Sequence, residues 1–552
     1  MKKDNTRFTF LGTCFVMLFA LLLGRILYVL AVKKDEILSQ TKTNLQHKIK
    51  KLRGNIYTND GILLATSIRG FEIYKKAGQI LTKKDIKKLK KIGISITPEL
   101  NKKRKLIYKF INPYQQEKLK KLPVKKKLEI IPTQKRIYYR KNIYAPLIGF
   151  LNYEKKGAAG IEYYFDDILS EIKKVKTLEI DLSGNLLLTK NPEILYAKCS
   201  DVYLTIENPV QEFLYEQIKN TVEKFHGKKG YGIVINARTG EIPGFVSYEK
   251  EQKKFYMKNP LIGDAFEPGS TFKIVTVSAA LQEKIVTPFE KFYCGEGQFR
   301  FPTITVRDHE PYEWLTVAEI IQHSSNIGIC KIAEKLGKQK LYFYARAFGF
   351  GNYTGISLPA ESRGVLRRIK NWSETSLYCT SFGQEVSATP LQIAQAFSVI
   401  ANNGLLIAPK IIKKIVASSG RTLYQSKKSV VRKVISPETA KTVKEMLLNV
   451  TENGTAIRAK IKGWKICAKT GTAQKFDASI GKYSNEKYFA SLGGFLPMEN
   501  SRFVIFIGVD EPEKFYYGGL VCAKAFKKTA QFLIDYYGIP PDEKEPQMLV
   551  KK

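Results

Sequence analysis

Ser270 and Lys273 lie three positions apart in the segment Glu267-Pro268-Gly269-Ser270-Thr271-Phe272-Lys273, a spacing that sets two side chains on one face of a helix. A serine hydroxyl beside a lysine amine can act as a nucleophile with its base, the chemistry of acyl transfer. The same residues also fit a structural role, with Ser270 capping a helix and Lys273 a solvated charge. Motif counting does not separate the two, because Ser-x-x-Lys begins six times in the chain, at Ser39, Ser170, Ser247, Ser270, Ser479 and Ser484. Context sets Ser270 apart. Pro268-Gly269 predicts a tight turn before it, and residues 274–281 are apolar enough for a helix buried on most of its circumference that stops before Pro288. A lysine at the mouth of such a helix is partly desolvated, which lowers its pKa and lets a neutral amine serve as base near neutral pH.

Two more stretches combine polar side chains with backbone punctuation. Thr316-Val317-Ala318-Glu319 has the form of a capping box and predicts a helix, so Ser324-Ser325-Asn326 falls between that helix and the next. Its structural reading is that Asn326 caps the second helix, and another Ser-x-Asn stands at Ser183-Gly184-Asn185. Lys469-Thr470-Gly471-Thr472 holds the only Lys-Thr-Gly of the chain, on a strand-like run. Gly471 leaves one strand face without a side chain, so another chain could approach the backbone and pair with it. The plainer reading is an exposed strand edge with a turn.

The elements that must position these residues divide the chain. Residues 8–32 carry one charge, Arg25, and are long enough to span a bilayer as a helix. No small-x-small cleavage site follows, so an uncleaved anchor is expected after a short tail at 1–7. Residues 34–185 read as a mixed domain, with strand-like "GFEIYKK" and "LEIIPTQ" between lysine-rich helical pieces such as "KKDIKKLKK". Residues 200–545 read as a larger domain. Its first two strands meet at a turn at Thr239-Gly240, with Pro243 inside the second strand arguing for an edge or a bulge. Ser436-Pro437 opens a helix whose apolar face is Val443, Met446, Leu447 and Val450. Three strand-like runs and a last helix after Gly518-Gly519 complete an α+β or αβα pattern.

Composition excludes several classes. The 91 Lys and Arg against 51 Asp and Glu give +40, which suits an anionic partner. The lysines are nevertheless dispersed and no nucleic-acid module is present, so nucleic-acid binding is not expected; the basic runs of the first third are solvated faces that could lie near anionic lipid heads. Cysteines are scattered singly, and His47, His226, His309 and His323 have no i,i+4 partner. Neither a disulfide framework nor a metal centre is expected.

In this order the three motifs form the set shared by serine penicillin-binding proteins and β-lactamases. The chain resembles a class B penicillin-binding protein of the cell-division type over nearly its whole length. "GRILY" at the end of the apolar run, "RGNIYTNDGILLATS" from Arg53 and "GAAGIEYYFDDIL" from Gly157 carry the resemblance in the first part. "EPGSTFK", "SSN", "FGQEVSATPLQ" from Phe382, "NNG" at Asn402 and "AKTGTAQK" from Ala468 carry it in the second. Ala468 stands where the family commonly has glycine, and Pro243 interrupts a strand that is usually free of proline.

The resemblance implies an α+β multidomain protein: a transmembrane helix, a mixed α/β pedestal, and a penicillin-binding or serine β-lactamase-like transpeptidase domain with an antiparallel sheet covered by helices. It implies that Ser270 attacks the carbonyl between the two terminal D-alanines of a peptidoglycan stem peptide, with Lys273 as base, to form an acyl-enzyme. Ser324 and Asn326 would relay the proton to the leaving amine and hold the substrate amide. Lys469 would contribute positive potential, and the hydroxyls of Thr470 and Thr472, flanking Gly471, would bind the carboxylate. Backbone N–H groups of Ser270 and Thr472 would form the oxyanion hole. No cofactor or metal is implied. The implied partners are peptidoglycan stem peptides, β-lactams as inhibitors, membrane lipid, a polytopic glycosyltransferase and other division proteins. The implied location is the plasma (inner) membrane of a bacterium, amino terminus cytoplasmic and catalytic domain outside.

Three alternatives stand beside it. An elongation-type transpeptidase would share the chemistry, but Ser-Ser-Asn and Lys-Thr-Gly-Thr resemble the septal branch. An anchored β-lactamase is disfavoured because Ser-Ser-Asn is not the second motif of the class that bears "STFK", and a secreted hydrolase needs no pedestal. A non-catalytic β-lactam sensor or scaffold is disfavoured by three intact motifs.

Overall fold

The computed structural model describes residues 17–25, 28, 52–96, 105–170, 177–180, 186–189, 199–250, 257–477 and 481–542. The chain divides into two compact units, one of residues 1–52 and 68–135, the other of residues 53–67 and 136–552. Of the expected anchor at 8–32, residues 17–25 and 28 are helical and the remainder lies outside the described residues. Among the described residues no helix is long and apolar enough to cross a membrane. Ser39, Ser479 and Ser183-Gly184-Asn185 also lie outside them.

In the smaller unit "KKDIKKLKK" is the helix Lys83–Lys91, opened by a Thr82 capping box with Asp85 and burying Leu89 alone. Its lysines lie at the surface while Leu89 joins Ile73, Ile94, Ile111, Leu119 and Val124 in a small core. "GFEIYKK", all but its last residue Lys76, and "LEIIPTQ" fall in the strands Leu63–Lys75 and Leu128–Tyr138, as their alternation predicts.

The larger unit is built on a five-stranded sheet. In chain order its strands are β1 (Lys229–Asn236), β2 (Gly244–Glu249), β3 (Cys467–Asp477), β4 (Lys482–Leu496) and β5 (Phe503–Asp510), side by side as β3-β4-β5-β1-β2. All neighbours are antiparallel. Pro243 precedes β2 instead of interrupting it, and β2 is an edge strand, so no ladder bond is lost. Around the sheet lie α1 (Asn208–Lys224), α2 (Lys273–Gln282), α3 (Val317–His323), α4 (Asn326–Leu336), α5 (Pro390–Ala401), α6 (Pro437–Asn453) and α7 (Ala523–Tyr537). The apolar face expected of α6 is buried, and Ser436 caps it by accepting the N–H of Thr439.

Two glycines reveal which layer covers which face. A Cβ on Gly232 would lie 2.8 Å from Ile218 of α1, and one on Gly493 would lie 2.3 Å from the Phe397 ring of α5. Gly232 pairs with Ile507 and Phe506 with Gly493, so α1 and α5 cover opposite faces. Lys469 pairs with Gly493 and therefore shares the α5 face, whereas Thr470 and Thr472 belong to the other.

A buried charge network closes the amino-terminal end of this unit. Arg53 Nε donates to Glu162 Oε2 at 2.6 Å and its Nη1 to Asp166 Oδ1 at 2.6 Å, while Arg136 Nε donates to Glu162 Oε1 at 2.7 Å. Both arginines and Glu162 are out of solvent, so each charge depends on its partners.

Candidate active site

Residues Gly269–Phe272 form a 3₁₀ turn that runs into α2, and no side chain caps either start. Ser270 is therefore not an N-cap, which removes the structural reading of the motif. Gly269 takes φ +54° and donates its N–H to Gly383 O at 3.1 Å. On the other side a Cβ at Gly471 would lie 2.9 Å from Thr271 Cγ2 and 3.0 Å from Pro268 O. The bare face of Gly471 thus accepts the turn that carries Ser270, not a foreign chain. β3 is the outer strand of the sheet, so its far edge is the part of this strand open to pairing.

The second motif sits between α3 and α4. Ser324 adopts φ 63°, ψ 36° and ends α3, and Ser325 caps α4 by accepting the N–H of Gly328 at 2.9 Å. Asn326, expected as the cap, is instead the first residue of α4, because the left-handed turn at Ser324 ends α3 early. That frees its amide for the site. Lys273 Nζ donates to Asn326 Oδ1 at 2.7 Å, to Ser324 O at 2.5 Å and to Ser324 Oγ at 3.2 Å. None of its bonds goes to Ser270, whose half-buried hydroxyl has no protein partner among the described residues.

Lys273 is fully buried. Burial pushes its amine down to about 8, with the negative charge of Asp308 pulling the other way. Lys469, on β3, is also fully buried and donates to Ser324 Oγ at 2.8 Å and to Thr470 O at 3.2 Å. Burial first, and the Lys273 charge second, hold its amine well below the usual lysine range. Thr470 Oγ1 lies 2.8 Å from Thr455 Oγ1, and Thr472 Oγ1 accepts the N–H of Gly518 at 3.1 Å. The structure thus joins Lys273, Ser324, Asn326 and Lys469 by direct bonds and seats Ser270 on the turn against β3. The two threonine hydroxyls lie on the opposite face of the same strand.

The penicillin binding protein transpeptidase domain matches residues 230–531, a span that holds all three motifs. The peptidoglycan D,D-transpeptidase FtsI of Buchnera aphidicola is 30% identical over 567 residues, covering 98% of this chain and 96% of that protein. The chain belongs to the class B penicillin-binding proteins of the septal type. Stage V sporulation protein D of Bacillus subtilis is 27% identical over 95% of this chain and 85% of its own length. The ampicillin complex of penicillin binding protein 3 from Mycobacterium tuberculosis shares the fold, at TM-score 0.69 and 23% identity over 91% of this chain and 98% of that one.

In this penicillin-binding protein two further carboxyl groups brace the site: Glu267 opens the "EPGSTFK" segment itself, whereas Asp308 lies in none of the motifs and carries no sequence signal of its role. Asp308 Oδ1 accepts the N–H of Asn326 at 2.5 Å and Oδ2 accepts the Ser325 hydroxyl at 2.5 Å. Glu267 lies at the head of the nucleophile turn, where Oε1 accepts the N–H of Glu385 at 2.9 Å and the Tyr483 hydroxyl at 3.0 Å. Its Oε2 is buried without a partner. Burial pushes the Glu267 carboxyl up to about 7, with the charge of Glu385 adding to it and the two hydrogen bonds opposing.

Proposed function

We propose that this enzyme crosslinks peptidoglycan stem peptides during septal wall synthesis through an acyl-enzyme on Ser270. The observation that carries the reading is the buried Lys273 amine, pushed down to about 8 and hydrogen-bonded to Ser324 and Asn326 one turn from an uncommitted serine hydroxyl. A neutral amine donates two bonds, which the shorter contacts to Ser324 O and Asn326 Oδ1 absorb, so the longer 3.2 Å contact with Ser324 Oγ falls to its lone pair, the site that takes and passes on the proton.

Ser270 Oγ attacks the carbonyl between the two terminal D-alanines while its proton passes to Lys273. The oxyanion is held by the N–H groups of Ser270 and Thr472, where loss of one donor typically costs about 2.7–4 kcal/mol. The tetrahedral intermediate expels D-alanine as its amine takes the proton by way of Ser324. The amine of a neighbouring stem then attacks the ester, gives up its proton along the same path and releases Ser270 with a new amide. Lys469 is short of counter-charge in the free enzyme; a substrate carboxylate seated at the open edge of β3, where the two faces of the strand meet, supplies it and stabilises the ammonium, with the hydroxyls of Thr470 and Thr472 as further ligands from the other face. The open edge of β3 pairs with the extended substrate backbone.

In this reading residues 8–32 anchor the chain in the plasma membrane, with 1–7 inside, a pedestal at 34–185 and the transpeptidase domain at 200–545 outside. Glycan polymerisation then comes from a polytopic glycosyltransferase, working with other division proteins. β-Lactams acylate Ser270 in place of the stem peptide. Incubation with penicillin tests the assignment: a long-lived adduct on Ser270 is expected, and rapid turnover of the drug would mean a β-lactamase instead.

A further inference from the structure

Asn326 is the acceptor on which the Lys273 amine rests, and its own placement comes from the loop that follows the strand Thr305–Arg307. Asn326 Nδ2 donates to Arg307 O at 3.0 Å, which points Oδ1 toward the lysine. The next residue does the rest. Asp308 Oδ1 accepts the N–H groups of Asn326 at 2.5 Å and Ile327 at 3.1 Å, and Oδ2 accepts the Ser325 hydroxyl at 2.5 Å. These bonds fill the start of α4, where a carboxylate suits orphan N–H groups and the helix dipole. They also hold Ser324 at φ 63°, a region that a non-glycine residue keeps only when its surroundings enforce it.

We propose that Asp308 is a positioning residue for acyl transfer: its carboxylate clamps the Ser324-Ser325-Asn326 turn against Lys273 and stands as the fixed negative charge behind the buried Lys273 amine. The proposal rests on Lys273 as the base. The groups that face Lys273 are Asp308 and His309 from the loop, Cys330 from α4 and Lys469 from β3. Asp308 is the largest influence opposing the burial that depresses Lys273, so its charge keeps that amine higher than burial alone would.

Acylation rates of the full chain with a fluorescent penicillin, measured from pH 6 to 10 for the parent, Asp308→Asn, Asp308→Ala and Lys273→Ala, test this. Asparagine can still accept from the two backbone N–H groups but lacks the charge. Asp308→Asn should therefore move the midpoint of the rising limb to lower pH by roughly 1 unit, because the lysine ammonium loses its counter-charge. Asp308→Ala, which also loses the clamp, should lower the plateau about 10-fold or more. A midpoint unmoved in Asp308→Asn overturns the proposal, whatever happens to the plateau, since a purely structural role would leave it in place. Parent-like rates in Asp308→Ala overturn it too. Where Asp308→Ala does not fold, the Asn variant decides alone. In Lys273→Ala the limb should vanish; a limb that persists there overturns the base assignment, and the proposal with it.

Discussion

Lys469 Nζ donates to Ser324 Oγ across 2.8 Å although 145 positions separate them in the chain. Lys273 reaches the same oxygen at 3.2 Å, so one hydroxyl joins amines from α2 and β3. If this oxygen is the crossing point of the proton path, Lys469→Ala should slow β-lactam acylation by about 10²-fold. Lys482→Ala, at the exposed start of β4, should leave it unchanged. Stopped-flow acylation compares the two, and equal rates would remove β3 from the site.

The Lys273 amine at about 8 sets a pH dependence. The base must be neutral, so the acylation rate should rise through about pH 8 and level off above it. Below that midpoint the ammonium has no lone pair, and the rate should fall about tenfold per unit. Lys273→Ala should reduce the plateau about 10²–10⁴-fold, the usual contribution of a positioned base. A rate independent of pH from 6 to 10 in the parent would contradict this.

The network of Arg53, Arg136, Glu162 and Asp166 predicts a stability effect far from the chemistry. Glu162→Ala leaves two buried guanidinium groups short of their shared carboxylate and should destabilise by about 3–5 kcal/mol. Urea unfolding reads it directly; a loss below about 1 kcal/mol would mean that water reaches the arginines.

Glu267 gives a stability change of definite sign. Its carboxyl is raised from 4.5 to about 7, so between those values the folded state binds a proton that the unfolded state does not. Its contribution is complete below about pH 4.5 and is lost as pH rises through 7, on the order of 3 kcal/mol in all. Glu267→Gln should lack that slope. Thermal melts across the window compare the variant with the parent, and parallel curves would show that Glu267 is ionised throughout.

Local pattern made some of this legible and tertiary placement decided the rest. The period of Val443, Met446, Leu447 and Val450 behind a Ser-Pro start marks α6, because cap and apolar face both lie within one helix. Ser270 had two readings, since the residues that decide between them, Gly383 and Gly471, arrive from 113 and 201 positions further along the chain. Asn326 was expected as a cap because that residue type caps well; Ser325 takes the role because α3 ends in a left-handed residue that a sequence pattern does not mark. Asp308 reaches the N–H of Asn326 from 18 positions upstream, and nothing in its neighbours distinguishes it from any surface aspartate. Pro243 is expected inside a strand at an edge or a bulge; the strand is an edge strand, and it begins at Gly244, one residue after the proline.

Intact-protein mass spectrometry after exposure to penicillin tests the central claim most directly. The parent should gain the mass of one penicillin, mapped to the peptide containing Ser270. Ser270→Ala should remain folded, because that side chain caps no helix, and should gain nothing. A full penicillin adduct on folded Ser270→Ala would contradict the assignment of Ser270 as nucleophile.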